Sequence, residues 1–378
     1  MYFIIFFIST FLLYLSEKDG LKKGQKGAII LIALALPCFM AGMRGGQIGT
    51  DLRVYARPLS ELALENENFF EYMNSKFWAS WHRMGPSDYE LGFSVLVWVL
   101  ARVTGSLSGI LFGIEAAAIL PFYYAARKYL KGRSVWLSMA VYYFMLFNVS
   151  LNMMRQMIAM GFALLAFAYW SEGKIKKTAL SMLVSTCFHG TALTALVMLV
   201  LTSISEHIKN RKLLLTGVVL VSVFILATIK PLAQLMSSVG LTKYAAYLLA
   251  NPMDVPWVQL FEKILILLIV LIGLNGMKGS VIFSNSNCTL YIALVMSLVL
   301  CPIGSLSPNA SRILLYFDQG AMLLIPVLLN SIDEKRGHIK YVMISLLLLA
   351  TYWVIMFGIF GVGETVPYAI VNQGRSNG

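Results

Sequence analysis

Uncharged apolar stretches recur along almost the whole chain, and they restrict its fold more than any other feature. About 20 apolar residues cross the hydrocarbon core of a bilayer as one α-helix, with some tolerance in length. By this criterion the sequence predicts an all-α, polytopic integral membrane protein with about 12–13 transmembrane helices, forming a single transmembrane domain over residues 1–378. The candidate spans are residues 1–16, 27–43, 91–104, 107–126, 134–149, 153–170, 175–187, 189–204, 211–230, 257–275, 288–303, 312–330 and 339–360.

Composition excludes several classes of protein and partner. Hydrophobic residues make up 58% of the chain and charged residues only 13%, whereas about a quarter of a soluble domain is charged. Basic loops on the cytoplasmic side explain the net charge of +12, because they face anionic lipid. No run of Lys and Arg is interleaved with aromatic residues, so we expect no nucleic acid partner. The four cysteines lack CxxC spacing and no Asp-x-Asp motif is present, so we expect no metal and no cofactor.

Clusters of basic residues orient the spans, since such loops stay on the cytoplasmic side. This assignment leaves residues 44–90 and 231–256 as two outer loops. It also places four polar residues near the outer face: Arg44, Arg155, His189 and Arg312. The basic clusters are Lys18 to Lys26, Arg127 to Arg133, Lys174 to Lys177, Lys209 to Lys212 and Lys335 to Lys340.

One stretch conflicts with a simple alternation of crossings. If residues 44–90 are outside and residues 127–133 are inside, an odd number of crossings must separate them, yet two apolar stretches lie between them. Either residues 91–126 hold one crossing and one re-entrant segment, which is permitted where protein or a cavity covers the backbone, or one basic loop is misplaced. Within the first outer loop, the aromatic stretch at residues 77–81 is predicted to lie on the membrane surface as an amphipathic helix.

A glycine-rich stretch, RGGQIGTD at residues 44–51, opens the first outer loop and is followed by Tyr55. Glycines let the backbone turn tightly and expose its N–H groups. Beside an arginine, such a loop can cradle a phosphate. The alternative is an ordinary outer turn that ends in an arginine extending to the membrane surface.

Polar residues also interrupt the apolar sequence at residues 148–160. If these residues are helical, Asn148, Asn152 and Arg155 share one face, because positions three and four apart are neighbours. An arginine costs roughly 2.5–3.5 kcal/mol at the bilayer centre and less near its edge, so a chain that keeps one there usually uses it. Three polar groups on one face predict a water-filled cavity with an anion bound to Arg155. A structural ion pair is the alternative.

Three further residues extend this set, each with two interpretations. Glu90 is either an anion near a helix start, where the dipole favours it, or a carboxylate that orients an arginine or a sugar hydroxyl. His189 is either a packed histidine or a general base, since histidine titrates near physiological pH. Arg312, with Tyr316 and Gln319 at helical spacing, either caps a helix end or binds an anion, and the helix dipole there repels a cation.

In chain order the motifs read R-G-x-x-x-G-T-D with a following Tyr, E-x-G-F, N-x-x-R-Q-x-I-A, F-H-x-T-A-L and R-x-x-x-Y-F. This order resembles the EpsG family of Wzy-like polysaccharide polymerases over about residues 1–330, whereas residues after 360 match no motif. The resemblance implies a membrane glycosyltransferase of the C-type architecture in the bacterial inner membrane. Such an enzyme polymerises oligosaccharide repeat units carried on polyprenyl diphosphate, at the outer face, into capsular, exo- or O-antigen polysaccharide.

The resemblance and the chemistry of the leaving diphosphate together imply roles for individual residues. Arginines would stabilise the developing charge, a base would deprotonate the acceptor hydroxyl, and aromatic residues at 72–81 would stack on sugars. His189 is the first choice for the base, and Asp51 or Glu90 is the alternative. The catalytic candidates are His189, Arg155, Arg312, Asp51 and Glu90. The candidates for substrate binding are Arg44, Gly45, Gly49, Thr50, Tyr55, Asn152, Gln156 and Tyr316.

The expected partners are the polyprenyl-diphosphate-linked oligosaccharide, membrane lipid, and a chain-length regulator and a flippase of the same pathway. An O-antigen ligase would use the same chemistry and differ only in its acceptor. An oligosaccharide transporter or flippase is the alternative from a different class. A transporter predicts charged residues at mid-membrane depth and symmetric halves, whereas the polar candidates here cluster near one face.

Overall fold

The computed structural model describes residues 1–79, 82–240, 242, 245, 257–276, 284–305, 311–333 and 337–370. Most of these residues are helical, and seven of the helices among them are long and apolar enough to cross a membrane. The chain is an all-α, polytopic membrane protein, as predicted. Its residues form two compact units: Met1–Ala192 with Leu349–Gly378, which we call unit 1, and Leu193–Leu348, which we call unit 2.

The elements of unit 1 are mostly helices of one to six turns. A short antiparallel hairpin, β1 (Phe77–Ala79) and β2 (His82–Met84), lies between α4 and α5. The helices are α1 (Tyr2–Ser16), α2 (Lys23–Gly42), α3 (Arg57–Glu65), α4 (Phe69–Asn74), α5 (Leu91–Thr104), α6 (Leu107–Tyr129), α7 (Val135–Met145), α8 (Phe147–Asn152), α9 (Met154–Trp170) and α10 (Ile175–Phe188).

Unit 2 is built from further apolar helices. The last of them, α17, begins in unit 2 and ends in unit 1. The helices are α11 (Leu196–His207), α12 (Arg211–Ser238), α13 (Trp257–Gly276), α14 (Asn285–Val299), α15 (Leu315–Asp318), α16 (Ala321–Asn330) and α17 (His338–Trp353). The turn Arg312–Leu314 leads into α15, so that Arg312–Asn330 forms one candidate span.

Glycines bring the long helices of unit 1 into close contact. A Cβ at Gly42 would lie 2.7 Å from the carbonyl oxygen of Ser108, so the end of α2 abuts the start of α6. In the same way, a Cβ at Gly161 of α9 would lie 3.1 Å from the carbonyl oxygen of Ala118 in α6. Small residues at such crossings let membrane helices approach closely. The end of α2 meets the start of α6, and Lys23 and Arg127 near their other ends line one cavity, so the two helices run in opposite directions.

The ends of these helices define two ends of unit 1. At one end Lys128, near the end of α6, pairs with Glu172 after α9 at 3.0 Å, and Lys174 pairs with the same carboxylate. We call this the basic end, because the three basic clusters of unit 1, Lys18 to Lys26, Arg127 to Arg133 and Lys174 to Lys177, lie there. At the opposite end α2 and α10 end, while α6 and α9 begin. We call this the site end, because Arg44, Arg155 and His189 follow or begin those helices.

The helix α5 explains why two apolar stretches between residues 91 and 126 give only one crossing of the membrane. A Cβ at Gly92, at its start, would lie 2.6 Å from the carbonyl oxygen of Cys187, near the end of α10. Its last residue, Thr104, directly precedes α6, whose start is also at the site end. Residues 91–126 therefore hold one crossing, α6, and one helix that begins and ends at the site end.

A break between α8 and α9 interrupts residues 148–160, so the condition for a shared polar face, one continuous helix, is not met. Met153 has φ −99° and ψ 57°, outside the helical region. As a result Asn148 does not share a face with Arg155. Its buried amide accepts a hydrogen bond from Trp353 Nε1 at 2.6 Å and donates one to Thr365 Oγ1 at 2.7 Å. The prediction of one polar face is wrong, because the chain turns between the two residues.

Residues 44–90, the first predicted outer loop, are more structured than the sequence indicates. Residues 77–79 pair with residues 82–84 as a hairpin, so the amphipathic helix predicted for residues 77–81 is wrong where the structure describes them. Side chains on a strand alternate between faces, and accordingly Trp78 is exposed whereas Ala79 is buried. In the second predicted outer loop, α12 continues to Ser238. Most of the remainder of that loop, and Ser80 and Trp81, lie outside the described residues.

Candidate active site at the site end of unit 1

The glycine-rich loop at residues 44–51 folds against Asn152, at the break between α8 and α9. Asn152 Oδ1 accepts hydrogen bonds from Thr50 Oγ1 at 2.7 Å and from the backbone N–H of Asp51 at 3.2 Å. Gly49 has a φ of +84°, and a Cβ there would lie 2.6 Å from the carbonyl oxygen of Leu151. Glycine is required at this position, because an L side chain would meet both backbone strain and a backbone clash.

Arg155 lies in the first turn of α9, and two aromatic rings hold its guanidinium group. Its Cζ atom lies 4.7 Å from the ring centre of Tyr55 and 4.9 Å from that of Tyr89, within the range of cation–π attraction. Its Nη1 atom forms an ion pair with the carboxylate of Glu90. The Tyr55 hydroxyl donates a hydrogen bond to Asp51 Oδ2 at 2.8 Å. We call these residues the Arg155 cluster: Asp51, Tyr55, Tyr89, Glu90 and Arg155.

The cluster is only partly closed off from solvent. The side chains of Arg155 and Glu90 keep 21% and 26% of their surface exposed. Arg155 Nε, by contrast, is buried and hydrogen-bonds to no atom of the described residues. Burial raises the pKa of Tyr55 far above its ordinary value and raises the pKa of Tyr89 to about 12. Both phenols therefore stay protonated at neutral pH and act as hydrogen-bond donors.

His189 directly follows α10 at the same end of unit 1. The contact between Gly92 and Cys187 brings the chain around His189 next to the start of α5, which Glu90 precedes. His189 Nδ1 lies 2.6 Å from Thr191 Oγ1 and accepts the backbone N–H of Thr191 at 3.3 Å. A backbone N–H can only donate, so the neutral imidazole carries its hydrogen on Nε2. In this tautomer Nε2 carries a hydrogen and has no basic lone pair.

Arg44 differs from Arg155 because it is almost completely enclosed. Only 2% of its surface is exposed, and Nη2 contacts Met154 Sδ at 3.5 Å. Burial lowers its pKa to about 10, so the guanidinium group remains charged at neutral pH. Like Arg155, it has an Nε atom that hydrogen-bonds to no atom of the described residues. Sequence reasoning predicted that Arg44 grips the substrate, yet its side chain is not open to a ligand here.

The segment that covers Arg44 is residues 361–370, which we call the C-terminal strap. Gly45 N donates to the carbonyl oxygen of Ala369 at 2.7 Å, and Gly49 N donates to that of Glu364 at 3.2 Å. The Glu364 side chain also pairs with Arg53 at 2.5 Å. Tyr2 OH donates to the carbonyl oxygen of Thr365 at 2.6 Å. The strap therefore ties the glycine-rich loop to α1.

The remaining predicted residues are less accessible or lie elsewhere. Gln156 is buried in α9. Tyr72, expected to stack on sugars, is buried, whereas Trp78 is exposed. Arg312 and Tyr316 belong to unit 2, where Tyr316 is buried and Arg312 is half-buried. Their participation in the site stays a prediction.

Comparison with models of known protein families identifies the family of this chain. The model of the EpsG family matches residues 27–370, nearly the whole chain. The chain belongs to the EpsG family. Members of this family are Wzy-like polymerases, and the match extends through the C-terminal strap, which carried no recognisable motif. Searches of curated proteins and of solved structures returned no match.

Sequence reasoning missed several residues of the site. Tyr89 could have been found from the sequence. It lies next to Glu90, and an aromatic residue beside a carboxylate that pairs with an arginine can also contact that arginine. Glu364 and Thr365 carried no such signal, because they lie more than 200 residues after their partners Arg53 and Asn148. The structure also shows no group of His, Cys, Asp and Glu suited to a metal ion within the ranges that it describes.

Proposed function

We propose that this EpsG-family protein polymerises oligosaccharide repeat units carried on polyprenyl diphosphate, at the outer face of the bacterial inner membrane. The products would be capsular, exo- or O-antigen polysaccharide. The observation that carries the proposal is the Arg155 cluster: a guanidinium group oriented by two rings and one carboxylate, at the end of unit 1 away from the basic loops. Charge of this kind, fixed in advance, stabilises a leaving diphosphate without reorganisation during the reaction.

The unused edge of the Arg155 guanidinium group supports phosphate as the ligand. Nη1 is engaged by Glu90, while Nε hydrogen-bonds to no atom of the described residues. Nε itself is enclosed by protein, so a phosphate oxygen would meet the guanidinium group through the part of the side chain that stays exposed. Arginine suits this task better than lysine, because its planar fork matches two phosphate oxygens at once.

Activation of the acceptor hydroxyl is better assigned to Asp51 than to His189. If the imidazole is neutral and Nδ1 accepts the Thr191 N–H, Nε2 carries the hydrogen and has no lone pair to take a proton from the acceptor hydroxyl. Glu90 is engaged with Arg155. Asp51 belongs to the Arg155 cluster, where the Tyr55 hydroxyl donates a hydrogen bond to its Oδ2 at 2.8 Å, and a carboxylate can take the proton of a sugar hydroxyl. Under this assignment, Asp51→Asn abolishes elongation at every pH, whereas His189→Asn retains part of it.

A ligation reaction onto a different acceptor would use the same cluster, so the assay must report on chain growth. Purified protein is supplied with lipid-linked repeat units, and products are separated by length. We expect a ladder from the wild type, and a loss of roughly 10²–10³-fold in rate for Arg155→Lys and Arg155→Ala. Arg83→Lys and Arg83→Ala are the matched controls, because Arg83 lies exposed on β2.

Two results would contradict the proposal. A wild-type protein that moves lipid-linked repeat units across vesicles without joining them would be a transporter. A ladder from Arg155→Lys equal to that of the wild type would show that the guanidinium fork does not bind the diphosphate.

A further inference from the structure

A groove between α2 and α6 runs from the basic end of unit 1 towards its site end. At the basic end it widens into a cavity of about 500 Å³ lined by Lys23, Lys26 and Arg127. Gly27 and Tyr123 line both this cavity and the next part of the groove. That part is mostly apolar, and its lining includes Leu31, Leu34, Ala35 and Ile119. Phe112 then joins it to an apolar recess beside Gly42.

The three basic residues of the cavity come from two helices and converge on one space. Among the described residues, none of them forms an ion pair with a carboxylate, whereas Lys128, one position after Arg127, pairs with Glu172. Like charges held together without a counter-ion repel each other, so an anion in the cavity would be stabilised.

Glu17 also lines the cavity but does not neutralise it. Its carboxylate accepts the backbone N–H groups of Ser134 at 2.7 Å and Trp136 at 2.9 Å, at the start of α7. The carboxylate thus satisfies helix-terminal donors. Three cations and one anion leave the cavity with net positive charge.

We infer that this groove binds an anionic glycerophospholipid of the leaflet at the basic end. Its phosphate contacts Lys23, Lys26 and Arg127, and one acyl chain lies along Leu31 and Leu34. Basic pockets between membrane helices bind anionic headgroups in this way. The apolar part of the groove distinguishes a lipid from free phosphate, because a soluble anion gains no binding free energy from apolar contacts.

The position of the basic residues, at one end of the groove, favours a glycerophospholipid over a polyprenyl diphosphate. α2 has 20 residues and spans about 30 Å, the thickness of the hydrocarbon core. A glycerophospholipid anchored at Arg127 fills the half of the groove in its own leaflet. A polyprenyl diphosphate with its charge at the site end would leave the three cations without a partner. The inference is independent of the proposed reaction, because the two sites are at opposite ends of unit 1.

The first test removes charge. Phosphatidylglycerol and phosphatidylcholine with identical acyl chains are titrated onto purified full-length protein in detergent, and bound lipid is measured by native mass spectrometry. We expect Lys26→Gln/Arg127→Gln to weaken phosphatidylglycerol binding by roughly 30-fold and to leave phosphatidylcholine binding unchanged. The matched control is Lys176→Gln/Lys177→Gln, since both lysines are exposed at the start of α10.

The second test fills the apolar part of the groove without changing its charge. Ala35→Trp is expected to weaken phosphatidylglycerol binding by roughly tenfold, while glycerol 3-phosphate binds weakly and equally to the variant and the wild type. The melting temperature of each variant verifies that it is folded. The inference is overturned if the charge variant binds phosphatidylglycerol like the wild type. It is also overturned if glycerol 3-phosphate binds as tightly as the lipid, or if a polyprenyl phosphate displaces the lipid at lower concentration.

Discussion

Each unit contains an ion pair set in apolar sequence, and the two pairs differ in exposure. The pair in unit 1 is Arg155 with Glu90, and the pair in unit 2 is Lys263 with Asp318. The side chains of the first pair are 21% and 26% exposed, and those of the second are 4% and 2% exposed. Asp318 also accepts a hydrogen bond from Ser297 at 2.7 Å. The second pair thus links α13, α14 and α15 with its carboxylate fully satisfied.

The difference separates a structural ion pair from one that can bind a ligand. In unit 2 the pair is almost fully buried and its carboxylate is also hydrogen-bonded to Ser297, so we assign it to the packing of three helices. In the Arg155 cluster, the guanidinium group keeps an unsatisfied Nε and part of its surface open. An arginine that is oriented but incompletely paired is suited to bind an external anion.

The largest expected effect tests the buried pair. Lys263→Met leaves Asp318 buried without its counter-ion, and Glu262, 3.7 Å from Lys263, adds to the repulsion. Breaking one side of a buried pair costs roughly 3–5 kcal/mol, so we expect a marked fall in the melting temperature in detergent. Lys263→Met/Asp318→Leu removes both charges and should recover most of the loss. Equal melting of the single and double variants would mean that the pair is not a structural one.

A second prediction concerns the backbone that supports the Arg155 cluster. Gly49→Ala adds a Cβ beside the Leu151 carbonyl oxygen at a φ of +84°, at a cost of about 1–3 kcal/mol in strain. We expect polymerisation to fall while the lipid affinity at the basic end is unchanged. Gly132→Ala is the control, because it also has a positive φ but lies at the basic end. Loss of activity in both variants would point to general instability.

Tyr89 provides a smaller effect on the same cluster. Tyr89→Leu removes one of the two rings over Arg155, and such contacts contribute roughly 0.5–2 kcal/mol. Elongation should slow by a few-fold to about 30-fold. Tyr89→Phe retains the ring and should stay close to the wild type. If both variants slow elongation equally, the hydroxyl and not the ring is the important group.

The smallest effect is expected from an ion pair more exposed than either of the two compared. Lys76 pairs with Asp88 at 2.8 Å, with 35% and 42% of their side chains exposed. The hydrogen bond from Lys76 and then that from Gly85 N lower the pKa of Asp88. Its contribution to stability is therefore present above the ordinary pKa of aspartate and is lost as the pH falls through the lowered value. Asp88→Asn should cost less than about 1 kcal/mol at pH 7 and nothing at a pH below that lowered pKa, which thermal melts at the two pH values will measure.

Hydropathy predicted the helices well because burial in lipid requires long apolar runs, and α6, α10 and α13 begin and end within a few residues of their predicted spans. The break at Met153 lies beside the gap between the predicted spans 134–149 and 153–170, but its effect on the faces of Asn148 and Arg155 was not predictable, since neither Gly nor Pro marks it. The predicted motifs come together in the structure, because each carries a polar group that needs a partner. The residues that meet are Asp51, Tyr55, Glu90, Asn152 and Arg155. The geometry of Tyr89 and the strap depends on long-range packing, which periodicity does not report.

The C-terminal strap has a consequence for biogenesis. Residues 361–370 are translated after every membrane helix that the structure describes, yet they close onto the loop that follows α2. While the ribosome still holds them, the backbone N–H groups of Gly45 and Gly49 and the side chain of Arg53 lack their final partners. The glycine-rich loop therefore takes the conformation described here only after residues 361–370 have left the ribosome.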